Sequence, residues 1–151
     1  GQEETARKDA GTMLRVVFAA SLLAGMLILA MRPLILHFAT LSETAVDLLN
    51  IMLWINCLYI LGMGMNTTFI CGLFRAGGDA RYGFILDTIV MWAVFVPLAF
   101  ICAFVLHFPP LLVYTITCSD EFLKLPINTV HYLKGNWIRN ITRSEAELQR
   151  L

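Results

Sequence analysis

From Leu48 to Phe74 the chain carries no Asp, Glu, Lys or Arg, and from Tyr82 to Leu106 it carries only Asp87. Runs of that length and polarity leave few options. A bilayer core takes roughly 20 apolar residues as one helix. Only a helix or a closed barrel satisfies the backbone N–H and C=O groups where water is absent. Two flanking runs, about 16–36 and about 111–133, are also long and apolar enough to qualify. The expected fold is therefore all-α: a polytopic membrane bundle of four transmembrane helices, about 16–36, 48–74, 82–106 and 111–133, with the lipid bilayer as its solvent. Composition agrees, with 58% hydrophobic residues, 15% charged and a mean hydropathy of +0.72, where a soluble domain carries about 25% charged residues. A net charge of zero and the lack of a basic aromatic groove argue against nucleic acid as a partner.

The two central runs are joined by Phe74-Arg75-Ala76-Gly77-Gly78-Asp79-Ala80-Arg81. Adjacent glycines permit a reversal within a few residues, and Arg75, Asp79 and Arg81 keep it in water or headgroups. Of the eleven Lys and Arg residues, Arg7, Lys8, Arg15, Arg75, Arg81, Lys134, Arg139, Arg143 and Arg150 fall in the head, this loop and the tail. Cytoplasmic segments collect such residues. The expectation is a multi-pass protein of the plasma (inner) membrane with both ends and the double-glycine loop cytoplasmic. Residues 1–15 then read as a cytoplasmic loop, 16–143 as the four-span bundle and 144–151 as a cytoplasmic tail. The polar head, lacking an initiator Met, reads as a loop within something longer.

Small residues at i, i+4 spacing (Ala20 and Ala24, Ser21 and Gly25, then Gly64, Thr68 and Gly72) mark helix faces that approach closely in lipid. Pro33 is expected to stop or bend the first span. Thr44 and Asp47 have a capping-box form that can open the second, and Ser144 with Glu147 a similar one for a short terminal helix. Cys57, Cys71, Cys102 and Cys118 lie in spans without zinc or disulfide spacing and read as small packing residues. The sequons at Asn66 and Asn140 are misplaced for glycosylation. His107 reads as a solvated loop residue, and His131, Tyr132 and Trp137 as interfacial side chains.

Polar groups inside the spans are the candidate site. Asn66, beside Thr67, must face protein or a cavity, either as an interhelical hydrogen bond or as a contact to substrate or ion. Pro97 and Pro126 lack an N–H and leave the Ala93 and Phe122 carbonyls free. Asp120, Glu121 and Lys124 stand near the middle of the fourth run. A lone central charge costs roughly 2.5–3.5 kcal/mol on insertion scales, so this group requires partners or water. At 1.5 Å per residue, Asp87 lies about 8 Å from the inner boundary and Lys124 about 15 Å. A reaching lysine covers much of that difference. The two are expected to form one coupled site, or else a static clamp. No metal ligand set and no organic cofactor is implied.

Taken together, Gly72-Leu73-Phe74-Arg75-Ala76-Gly77-Gly78-Asp79, then Asp87, Met91-Trp92 and Pro97-Leu98-Ala99-Phe100, followed by Asp120-Glu121, Lys124 and Trp137-Ile138-Arg139-Asn140, resemble the C-terminal part of the multidrug and toxic compound extrusion (MATE) family of efflux transporters. The resemblance implies twelve helices in two six-helix lobes working by alternating access, with this chain supplying helices nine to twelve and needing the remaining helices as partners. It implies expulsion of small cationic or amphipathic compounds in exchange for sodium or protons, and no enzymatic step. Some sodium-coupled members carry an acid within helix ten, where this chain offers Asn66, Thr67 and Thr68. Two other readings compete: a lipid-linked oligosaccharide flippase, which a wide basic cavity would favour, and a non-transporting four-helix scaffold.

Overall fold

Once started, a helix gains one hydrogen bond for each residue added, so long apolar runs without breakers continue as helix. The computed structural model describes residues 2–138 and is helical throughout its regular elements. These are α1 (Gln2–Phe38), α2 (Glu43–Phe74), α3 (Ala80–Val105), α4 (Pro110–Cys118) and α5 (Asp120–Lys134). The tail expected at 144–151, its Ser144 capping box and the Asn140 sequon lie outside the described residues.

Helix α1 is 37 residues long, about 55 Å at 1.5 Å per residue, well beyond a hydrocarbon core of roughly 30 Å. Residues 2–15, expected as a loop, form its first turns. Glu, Ala, Arg and Lys there are good helix formers, and Ala10 is buried against Phe69, Leu73, Phe74 and Trp137. The helix also runs on past Pro33 instead of stopping. The small-residue stripes meet as expected: α1 packs chiefly on α2, where a Cβ added to Gly64 would collide with Ser21. The start of α2 differs from expectation. Its cap is Ser42, whose Oγ accepts from the Ala45 N–H at 3.4 Å. Thr44 and Asp47 fall inside the helix, because a serine two residues earlier intercepts the free N–H groups first.

Helix α2 widens to a π-helical form over Thr68–Phe74, and α3 does so over Ile89–Phe95 and Ile101–Val105. Between the two helices, the Gly77 N–H donates to the Leu73 carbonyl at 2.8 Å and the Asp79 N–H to the Phe74 carbonyl at 2.7 Å. The reversal needs its two glycines for different reasons. Gly78 has φ 88°, which L-residues resist. Gly77 sits where a Cβ would strike the Trp137 carbonyl and come within 2.6 Å of its indole Cε3.

Three helices, Glu4–Phe38, Glu43–Phe74 and Ala80–Val105, are long and apolar enough to cross a membrane. The fourth expected run appears as α4 and α5, joined at Ser119 by a tightened turn in which its N–H donates to the Ile116 carbonyl at 3.1 Å. The cause is local. Hydroxyls of Thr115, Thr117 and Ser119 bond the carbonyls of Leu111, Val113 and Thr115 at 2.7–2.9 Å, and such back-bonding bends helices. Large apolar side chains point outward, as with Trp92 at 69% and Phe104 at 67% exposed. Only lipid or further helices suit such a surface.

Candidate functional site

Helix α5 places Asp120, Glu121, Lys124 and Asn128 on one face, at steps of three and four residues that bring side chains together. This face packs on α2, and the approach is close: a Cβ added to Gly62 would lie 3.0 Å from Glu121 Cβ. The Lys124 ammonium is enclosed by three carboxylates, with Nζ 2.9 Å from Asp87 Oδ1, 2.8 Å from Glu121 Oε1 and 3.1 Å from Asp120 Oδ2. The contacts to Asp87 and Glu121 have hydrogen-bond geometry; that to Asp120 Oδ2 is an ion pair only, and this oxygen accepts no hydrogen bond among the described residues.

The coupling expected between Asp87 and the fourth run is thus a direct contact between α3 and α5. Asn66 joins it from α2. Its Nδ2 donates to the Glu121 backbone carbonyl at 2.7 Å and to Glu121 Oε2 at 2.8 Å, while its Oδ1 accepts from Asn128 Nδ2 at 2.8 Å. The interhelical hydrogen bond expected of Asn66 is present. Burial divides the acids. Lys124, Asp120 and Glu121 side chains are at most 8% exposed, whereas Asp87 is 49% exposed. Three carboxylates and one ammonium give a formal charge of −2, and the only partly open member is Asp87.

The other expected residues lie elsewhere. Thr67 faces α1, lining a cleft of about 440 Å³ with Ser21 and Gly64. Pro97 lies on an exposed part of α3 and Pro126 on an exposed part of α5. Arg75 and Arg81 are exposed beside the reversal. Asp79, expected in water with them, is 1% exposed, and its Oδ2 is 2.8 Å from His131 Nε2. His131 therefore has a buried carboxylate as its partner. Its ring stacks on Tyr82 at 3.6 Å and 9° and meets Phe74 edge-on at 4.9 Å. Tyr132 and Trp137 likewise stack inward, 5.8 Å apart. Sequence reasoning also missed Asn128, which is fully buried; its position four residues after Lys124 was the available signal.

Among the described residues, no group of His, Cys, Asp and Glu is arranged to hold a metal ion. The arrangement ties α2, α3 and α5 together and leaves one part-exposed carboxylate, Asp87, at its edge. Comparison with known proteins bears on its use. A family model described as MatE matches residues 1–110, which includes Asn66 and Asp87 and stops before the acids and lysine of α5. No curated protein and no solved structure matches the chain.

Proposed function

We propose a function from one premise: the chain belongs to the MatE family, whose members are multidrug and toxic-compound efflux transporters and not enzymes. On that premise it is part of a secondary antiporter that expels cationic or amphipathic compounds in exchange for sodium or protons by alternating access. Helices α1, α2, α3 and the α4–α5 pair act as its last four spans, packed against further helices of the C-terminal lobe. Both ends and the Gly77–Gly78 reversal face the cytoplasm. Labelling from outside of a cysteine placed at Glu43, but not of one placed at Gly78, checks that orientation.

One observation carries the mechanism: Lys124 bridges the part-exposed Asp87 of α3 and the buried acids of α5. Neutralising Asp87, by a proton or a competing cation, weakens its hold on Lys124 and leaves the ammonium to Asp120 and Glu121. The contact between α3 and α5 is then the element that ion binding biases, as coupling requires. A static clamp uses the same contacts and is separable by experiment. Asp87→Asn, Lys124→Met and the double variant, made in the full-length transporter, are reconstituted and assayed for gradient-driven efflux of a fluorescent cation. Coupling gives folded protein without ion-driven efflux in all three. A clamp gives singles that fail to accumulate and a double that recovers. Wild-type efflux and expression in every variant would remove both roles.

A further inference from the structure

We infer that the groove between α3 and α5 at the double-glycine end is a binding site for an anionic glycerophospholipid. Its volume is about 520 Å³, within the roughly 300–1,000 Å³ of small-ligand clefts. Its two ends differ in chemistry. One is walled by Pro126, Ile127 and Val130, and the other by Tyr82, Lys134 and Asn136. From Pro126 to Lys134 the helix rises about 12 Å, so the groove runs from an apolar interior to a cationic mouth.

Four observations favour a lipid as the occupant. Lys134 is exposed, and among the described residues no carboxylate lies within ion-pair distance of it. Ile127 and Val130 are 37% and 50% exposed, so they offer an acyl chain an uncovered apolar strip. The wall is also prebuilt: Tyr82 is stacked on His131, and His131 is held by Asp79 at 2.8 Å. The charge pattern continues in the sequence, where Arg139 and Arg143 follow Lys134 and no acid intervenes before Glu145. Basic groups next to a membrane helix attract anionic headgroups, and the adjoining apolar wall takes the acyl chain. A free phosphate ion would use only the mouth. This inference does not depend on the coupling role of Lys124, because its readout is retained lipid and not transport.

The test uses the full-length protein extracted in mild detergent, with native mass spectrometry counting bound phosphatidylglycerol against phosphatidylcholine. Phosphatidylglycerol should be retained preferentially. Lys134→Gln should lower its retention about five-fold, the effect of one basic residue at the surface. Val130→Trp fills the apolar wall without changing charge and should lower retention as well. Lys8→Gln removes an exposed charge from the same end, outside the groove, and should leave retention unchanged. Equal loss in Lys8→Gln and Lys134→Gln overturns the proposal in favour of diffuse surface charge. Unchanged retention in both groove variants overturns it too. A photo-crosslinker attached through Val130→Cys that captures a protein segment and not lipid shows that another helix occupies the groove, and this also overturns the proposal.

Discussion

Two buried clusters hold α5 to the rest of the molecule, and they are built on opposite plans. Around Lys124, an ammonium, three carboxylates and two carboxamides meet with no aromatic ring in the hydrogen-bond set. Around His131, near the reversal, one carboxylate bonds the imidazole, and Phe74, Tyr82 and the Phe69–Tyr132–Trp137 rings supply the rest. Charges held mainly by other charges can exchange partners when one is neutralised, at the cost of a hydrogen bond or two. Rings packed on rings have a fixed shape, and moving one opens a void. The first cluster is suited to changing state and the second to holding the end of the bundle still.

Substitutions that probe each cluster in turn can break this contrast. The largest loss is expected from Asn66→Leu. A typical intramembrane hydrogen bond contributes about 0.6 kcal/mol, but this change leaves Glu121 Oε2 and the Asn128 amide without their partner together. At about 1–3 kcal/mol for each buried group left unsatisfied, the unfolding midpoint in detergent should fall by the equivalent of about 3 kcal/mol or more. His131→Phe preserves an aromatic plate on Tyr82 and removes the bond to Asp79, which should cost about 2 kcal/mol. A larger loss at His131 than at Asn66 would reverse the assignment of the two clusters. Thermal unfolding should also separate the glycines: Gly77→Ala forces Trp137 away, for about 2 kcal/mol. Gly78→Ala is strained only by its positive φ, for about 1 kcal/mol. Equal effects would mean that Trp137 yields freely and the aromatic end is softer than described.

Legibility in the sequence followed chemical rarity. Asp87, Asp120, Glu121 and Lys124 stood out because charges inside apolar runs need partners, and depth along the helices was enough to pair Asp87 with Lys124. Asn128 escaped that reasoning because a carboxamide carries no charge to demand a partner, although it stands four residues after Lys124. Asp79 and His131 failed for another reason. Proximity to the reversal implied water, whereas Phe74 and Tyr82 close over the pair. The break at Ser119 was unreadable from hydropathy because Thr115, Thr117 and Ser119 are mild in polarity; what they bond, not how polar they are, tightens the turn. The helical head was misread because polarity excludes a residue from lipid without excluding it from a helix.

The widened turn over Ile89–Phe95 has a consequence for the phase of α3. Its buried positions are Gly83, Val90, Phe95 and Cys102, two heptad steps separated by a single stride of five. An uninterrupted α-helix would carry the stripe from Gly83 through Val90 to Pro97. The stride of five ends it at Phe95 instead and turns Pro97 to the outside, two residues being about 200° of rotation. Like an offset in a crankshaft, the extra residue lets the two halves of one rod present different faces to their neighbours. The half bearing Asp87 therefore meets α5 in an orientation that the outer half does not dictate, and a helical wheel drawn through the whole of α3 sets the residues beyond Phe95 about 100° out of phase.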